Sequence, residues 1–431
     1  MHLEGKRMLR LAAKLQPIYR SILGTGIRES INIFKQLHPE FKTLKFKSGH
    51  KVFDWTIPEE WTINDAYIES ENGTKYADFS KCSLHLMGYS TPVNKYMKKK
   101  ELMKKIHTIP DYPEAIPYVT SYYKKDWGFC IDQNTLNEMP DCNYKVFIDS
   151  NFIKGRLELI EAVIPGQSKE EIFFSSYICH PFMVNNELSG PVLLSSIMDY
   201  VKKLDNQFYT YRFAIFPETI GSIAYLSKKY KLLKKRMMCG FHLTCVGDER
   251  GYSMIESKYS NTLADELLKA HANEKADFKS YSFLERRSDE RQYGMARIDL
   301  PICTFSRSKP GGYHEYHTHL DDFSVVTEQG LGGSYDLLVN LINTIELGLY
   351  PCSSVMGEPM LGKRSLYPNT SIRDMSDSKR EGRLLLDILA YCDGTNSTGR
   401  IAELLNLPIS LISDKLQTLI LMKLCTRQSN S

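Results

Sequence analysis

No run of eighteen apolar residues occurs anywhere in the 431-residue chain, so nothing in it predicts a membrane-spanning helix. The first residues, MHLEGKRMLRLAAKLQPIYRSILG, mix charges into helical spacing and lack a continuous apolar stretch, which argues against a secretory signal. Excess charge of one sign is also missing. With 55 Lys and Arg against 51 Asp and Glu the net charge is +4, too small to argue for a nucleic-acid partner by itself. The ten cysteines include no C-x-x-C pair, and several sit inside apolar runs such as SSYICHP and GFHLTCVG. That excludes a cage of paired thiolates around a structural metal and predicts buried free thiols in a reducing, cytoplasmic setting. Internal repeats and low-complexity tracts are lacking as well.

What remains is an ordinary globular balance, 42% hydrophobic and 25% charged, at a length that predicts two or three domains. From Met8 to Leu37 the apolar spacing is helical, broken at Gly24 and Gly26. From Gly49 to about Pro117, Phe53, Trp55, Ile57, Trp61 and Ile63 alternate with mostly polar neighbours between turn signals, which predicts a small β-rich module over 49–117. Between Asn143 and about Gly348 strands alternate with helices. YKVFIDSNF, GRLELIEAVIPG, EIFFSSYICHP, YTYRFAIFPET, CGFHLTCVG and PICTFSR read as strands; SGPVLLSSIMDYVKKL, GSIAYLSKKYKLLKK, TLADELLKAHANE and SYDLLVNLINTIELGLY read as helices. The alternation predicts an α/β fold, a mixed sheet with helices on both faces, over 1–48 and 118–350. Ligands in such folds bind at the carboxyl ends of the strands.

A Pro- and Gly-rich connector is predicted over 351–377, carrying Met360, Leu361, Leu366 and Tyr367. These are too apolar for a solvated linker and are expected to lie against the larger domain. Over 378–431, GRLLLDILAYCDG, TGRIAELLNL and PISLISDKLQTLILM predict three helices, with a wing strand starting between Lys423 and Arg427. A winged-helix domain is the expectation, folding on its own, so that its removal leaves a soluble larger domain.

Four segments carry side chains suited to chemistry. His314, His317 and His319 cluster in GGYHEYHTHLDD, just ahead of Asp321 and Asp322. His180 follows the strand EIFFSSYIC, and Asn185, Asn186 and Glu187 then lead into a helix. Glu218 ends the apolar strand FAIFPET, and Asp289 and Glu290 sit in RRSDERQY. Each has a plainer reading: a strand-end turn, a helix cap, a solvated charge run. Together they place His, Asp or Glu at several strand ends of one sheet. A hydrolytic metal site needs that set: about three N and O ligands, an open position for water, and a carboxylate to take its proton.

The order of these motifs resembles the zinc aminopeptidases of the bacterial leucyl-aminopeptidase type. There a histidine is followed by D-N-x-S-G, a Glu-Glu strand end, L-D-M-x-G, S-D-H and Y-H-T-x-x-D. Here ICHP, NNELSG, FPETIGS, HLTCVGD, RSDERQY and EYHTHLD stand in the same order. VFDWTIPEEW, PYVTSYYKKDWGFC, CHPFMVNNELSGP, PETIGSIAYL and GEPMLGKRSLYP resemble one branch of that clan, named for polysaccharide biosynthesis. That branch joins a phosphorylase/hydrolase-like catalytic domain to an inserted β module and a C-terminal winged helix. The resemblance implies a metal-dependent hydrolase of a small amide, either a peptide N-terminus or an acylated amino sugar. It implies His180 and His317 as zinc ligands, with Asn186, Glu187 and Glu218 as further candidates. Glu187, Glu218 and Asp289 are the implied catalytic acids, and Arg307, Glu315 and Tyr316 the implied substrate contacts. Three positions depart from the parent pattern. The bridging aspartate falls on Asn186, the second-metal aspartate on Thr244, and the general base on Pro217. Two lost carboxylates imply one zinc ion in place of two.

Two alternatives follow from other classes. A fold that has lost catalysis would use its cleft for recognition, which the three replacements favour. A DNA-binding regulator would act through the winged helix, but its third helix offers Lys415 beside Asp414 and little else for phosphates. A protein contact, including self-association into a homo-oligomer, suits that helix better.

Overall fold

The computed structural model describes residues 2–364, 366 and 377–428. Its centre is an eight-stranded mixed sheet. The spatial order is Lys42–Lys47, Arg156–Ile164, Thr210–Phe216, Glu171–Tyr177, Met237–Leu243, Ile302–Ser306, Tyr252–Ile255 and Phe278–Tyr281. The four central strands run parallel, Glu171–Tyr177 pairing with both Thr210–Phe216 and Met237–Leu243. They are apolar along nearly their whole length because helices cover them, and the first two are buried at every residue. The chain leaves Glu171–Tyr177 for Thr210–Phe216 on one side and then crosses to Met237–Leu243 on the other. That reversal makes the carboxyl end of Glu171–Tyr177 a topological switch point, where a crevice is expected.

The helix Ser189–Val201 begins hard against this strand end. A Cβ on Gly190 would lie 2.3 Å from both the Leu243 carbonyl oxygen and the Ser176 hydroxyl, so only glycine permits the approach. Three short strands, the two edge strands Lys42–Lys47 and Phe278–Tyr281 and the inner strand Tyr252–Ile255, are not predicted by the sequence. Of these, KTLKFK and FKSY carry too few apolar residues to stand out.

The β-rich module is a four-stranded antiparallel sheet ordered Lys75–Asp78, Glu60–Ser70, Asn143–Ile153 and Val93–Lys98. Its central pairing runs from Glu60↔Ile153 to Ser70↔Tyr144, so the module reaches past residue 117 and takes one strand from beyond it. The segment after the module turns back to the large sheet. Pro117 bridges Thr318, and the Tyr118 N–H donates to the His317 carbonyl at 2.8 Å. The module is thereby tied to the histidine segment.

At the C-terminus, Asp377–Tyr391, Thr398–Leu405 and Ile409–Leu421 are helices, and Cys425–Gln428 is the wing strand. That strand pairs with Tyr350–Ser353, so the domain's first element spans the expected boundary between the larger domain and the connector. Leu361 is buried and Leu366 half-buried, whereas Met360 is exposed; Tyr367 lies outside the described residues. Most of the docking is done by the helices. Ile401, Ile409, Ile412 and Leu416 join the same buried cluster as the larger domain, and Ser413 shares a 2.8 Å hydrogen bond with Thr344. The shared core ties the winged helix to the larger domain more closely than a tether would. Deleting 378–431 should strip Tyr350–Ser353 of its partner and uncover apolar helix faces, lowering the melting temperature and causing aggregation. An unchanged melting curve with no light scattering would show the domain to be a loose appendage.

Candidate metal centre

His180 stands just beyond Tyr177, where the parallel strand ends, and its ring is buried. Its Nδ1 is 2.7 Å from Glu187 Oε2. The other oxygen of Glu187 accepts the Cys179 backbone N–H and lies 3.9 Å from the Arg20 guanidinium. Arg20, itself fully buried, donates to the His180 carbonyl at 3.2 Å. Both carboxylate oxygens are thus engaged on the inner side of the imidazole, which fixes the Nδ1–H tautomer and turns Nε2 outward. Burial alone would lower the His180 pKa, but Cys179 and Glu187 beside it outweigh burial and raise it well above the usual value, so a bound metal would take the place of the proton on Nε2. Cys179 Sγ, His180 Nδ1 and the Glu187 carboxylate lie within 4.8 Å of one another, yet they hold each other on that inner side. Burial pushes the Cys179 thiol up to about 11, so it stays protonated.

His180 Nε2 faces Glu218 Oε2 at 3.6 Å. Glu218 Oε1 accepts from the Ser288 hydroxyl at 2.8 Å. Burial raises the Glu218 pKa, against the opposing pull of His180. The third member, His317, stacks on Tyr316 at 3.9 Å between ring centres and lies 5.5 Å from the His180 ring. Its Nε2 is buried without a hydrogen-bond partner, and burial drives its pKa down to about 3, so it is a neutral donor. Phe182, Thr219, Cys245 and His317 all adopt positive φ without being glycine. Strain of that kind is held where surrounding structure over-determines it, as at functional sites.

This geometry sorts the residues expected from the sequence. His180, Glu218 and His317 all line one cleft of about 320 Å³ with Tyr118, Tyr122, Trp55 and Arg291. Glu187 touches His180 from the inner side and does not line the cleft. Asp289 does not line the cleft; it accepts from the Thr219 N–H and the Ser222 hydroxyl, bracing the turn after Glu218. Burial and the Glu218 charge push its carboxyl up to about 8. Of the expected substrate contacts, Arg307 stacks on Tyr252 and Glu315 is paired with Arg250 through two 2.8 Å bonds. Neither lines the cleft, nor does Tyr316, which stacks on His317.

Asn186 faces a different neighbourhood. Its Nδ2 donates to the Tyr177 hydroxyl at 2.9 Å, which is 2.6 Å from Thr244 Oγ1. Where the resembling enzymes have two carboxylates for a second metal, neutral groups here satisfy one another, and only Asn186 Oδ1 is left unpartnered. Asp321, noted in the sequence without a role, holds this loop: its carboxylate accepts the N–H groups of Asn185 at 2.6 Å and Asn186 at 2.9 Å. It is the D of Y-H-T-x-x-D, so the signal was present. Arg20 had none, because it comes from a segment with no motif, and Tyr118, Tyr122 and Arg291 went unassigned although PYVTSYYKKDWGFC and RRSDERQY, which hold them, stood out.

Two imidazole nitrogens and one carboxylate oxygen line one cleft, and a buried ring nitrogen lacks a partner among the described residues; that is a zinc-type donor set in composition, although among the described residues only Cys179, His180 and Glu187 have their donor atoms all within 4.8 Å of one another.

Comparison with known proteins agrees with this architecture. Residues 9–348 match a family described as a domain of unknown function, DUF4910, and residues 349–426 match a winged helix-turn-helix family. A Clostridium acetobutylicum protein, named for polysaccharide biosynthesis with an aminopeptidase-like domain, is 39% identical over 92% of this chain and 91% of its own. A crystal structure from the same organism, described as a peptidase, superposes with a TM-score of 0.88 at 36% identity, covering 98% of this chain and 96% of that one. A zinc aminopeptidase from Bacillus subtilis shares the fold at 14% identity, with a TM-score of 0.57 over 79% of this chain and 94% of that one. Among the described residues no single helix is long and apolar enough to cross a membrane. The chain therefore belongs to the DUF4910 family, proteins with an aminopeptidase-like fold that carry a C-terminal winged helix.

Proposed function

We propose that the protein is a mononuclear zinc hydrolase of small amides. The observation that carries this reading is the convergence of His180 Nε2, Glu218 Oε2 and the unpartnered His317 Nε2 on one cleft. These three atoms would hold the metal. When bound, zinc polarises a carbonyl and makes water acidic enough to attack near neutral pH. Glu187 keeps the His180 proton on Nδ1 and so keeps Nε2 free to donate. Among the described residues Glu218 is the only carboxylate on the cleft, so its Oε1, now held by Ser288, is the acceptor for the proton of the attacking water. Its burial-raised pKa suits that duty and the return of the proton to the leaving amine. The amide C–N bond breaks, the water oxygen joins the acyl carbon, and the nitrogen leaves as a neutral amine.

A second reading is favoured by Pro217, which occupies the position of the resembling enzymes' base and leaves the site without a carboxylate dedicated to proton transfer. It makes the protein a binding module that keeps the metal and has lost catalysis. Both readings predict metal. The purified protein should carry one zinc per chain, and the double variant His180→Ala with His317→Ala should carry close to none. Equal zinc in the two, by atomic absorption, would sink the site.

A further inference from the structure

Arg291 is the arginine of the cleft; its charge reaches Glu218 and Asp289 and works to lower both carboxyls, but neither is close enough to form an ion pair with it. Arg20, Arg212 and Arg250 each face a carboxylate, respectively Glu187, Glu171 and Glu315. Among the described residues no carboxylate lies within ion-pairing distance of Arg291; its Nη2 donates to Thr219 Oγ1, and its Nε is buried with no partner at all. A guanidinium has five donors and cannot shed its charge, so leaving a buried N–H empty beside an open cleft is costly unless something fills it. Thr219 directly follows Glu218, which places the guanidinium next to the proposed reaction centre. The rest of the wall near it, Trp55, Tyr118, Tyr122 and Ile220, carries no charge. Glu218, the one carboxylate that the described residues place on the cleft, is already taken by His180 and Ser288, so nothing among them is left to recognise a substrate ammonium.

We infer that Arg291 selects substrates bearing a carboxylate a few bonds from the amide that is cut. The planar fork of a guanidinium matches a carboxylate with two parallel hydrogen bonds, and the aromatic wall packs the neighbouring carbon framework. The carboxylate belongs to an amino acid or to an acidic sugar, and both present the same group to Arg291. This inference rests on the hydrolase reading for the amide, but its binding half does not.

The test uses the full zinc-loaded chain, with calorimetry for binding and amine release for turnover. The probes are an N-acetyl amino acid with its carboxamide, and an N-acetylated amino-sugar acid with its methyl ester. The wild-type protein is expected to prefer the free acid of one pair by about a hundredfold, the pair identifying the source of the carboxylate. Arg291→Gln, which can keep the hydrogen bond to Thr219, should bring that preference below about fivefold, and Arg291→Lys should restore part of it. Zinc content and melting temperature confirm that each variant is intact. Discrimination in binding without amine release would leave the Arg291 assignment standing and remove the hydrolase. Amine release that is equal for acids and neutral partners would do the reverse. No binding and no turnover with any of the four compounds overturns both.

Discussion

Glu218→Gln is expected to lower amide turnover by about 10²- to 10⁴-fold while leaving the fold intact, because it removes the one carboxylate that the described residues place on the cleft. The Gln amide can still meet the Ser288 hydroxyl, so packing is preserved. It cannot accept the proton of an attacking water, and it is a poorer zinc donor. Glu187→Gln should behave differently. Its oxygens bind His180 Nδ1 and the Cys179 N–H behind the ring, so the loss falls first on metal affinity, by about 10- to 100-fold, as for other outer partners of metal-bound histidines. With zinc in excess, Glu187→Gln should regain a large share of its turnover and Glu218→Gln should not. Metal titration followed by amine release at saturating zinc separates the two. If both variants keep full activity, the proton path proposed for Glu218 is wrong. If Glu187→Gln stays inactive at saturating zinc, Glu187 does more than orient His180.

That difference between the two glutamates marks the limit of what the sequence could say. His180, Glu218 and His317 were legible because each ends a strongly apolar strand or sits in a histidine cluster, and a sheet brings strand ends together whatever the loops do. The sequence could not tell which of Glu187 and Glu218 faces the cleft. Both sit one or two residues from a helix start, and one turn of backbone decides the direction. Thr219 takes a positive φ to turn Glu218 outward, a choice no local propensity announces. Arg20 was lost for another reason. It belongs to a loop between two helices that reads as ordinary amphipathic surface, yet it is fully buried 160 positions from the carbonyl it binds. The cleft's aromatic wall was hidden similarly. PYVTSYY looks like a turn after the β module, and only the bridge from Pro117 to Thr318 brings it over the histidines.

The far end of the same strand carries the largest stability effect we expect. Glu171 begins the strand whose other end leads to Cys179 and His180, and it receives Arg212 through bonds of 2.7 and 2.9 Å. Arg212 also reaches Glu161 at 2.6 Å, and all three side chains are buried. Tyr225 adds a 2.8 Å bond to Glu161, and Lys229 pairs with it. Burial works against charge in this cluster, but the hydrogen bond to Glu171 and the surrounding negative groups outweigh it and hold the Arg212 pKa above its usual value. Burial would likewise raise Glu161, but Lys229 and Arg212 keep its carboxyl below the usual range. Arg212→Met should cost about 3–5 kcal/mol, because it removes the cation two buried carboxylates share and leaves Glu161 with Lys229 and Glu171 with only the 3.4 Å contact from Arg236. The deficit should depend on pH. In the wild type the depressed Glu161 contributes stability that is present above its unfolded pKa and lost as pH falls through the folded one. In Arg212→Met Glu161 loses one of the charges that depress it, so the deficit is largest at neutral pH and shrinks as that carboxyl protonates on acidification. Urea unfolding at pH 7.5 and pH 5 should therefore show the gap between the two proteins narrowing at the lower pH. The triple variant Arg212→Met, Glu161→Leu, Glu171→Leu should regain most of the loss, since apolar groups of similar volume need no partner. A single-variant loss under about 1 kcal/mol, or a gap that widens toward pH 5, would mean that water reaches this cluster and that the sheet does not depend on it.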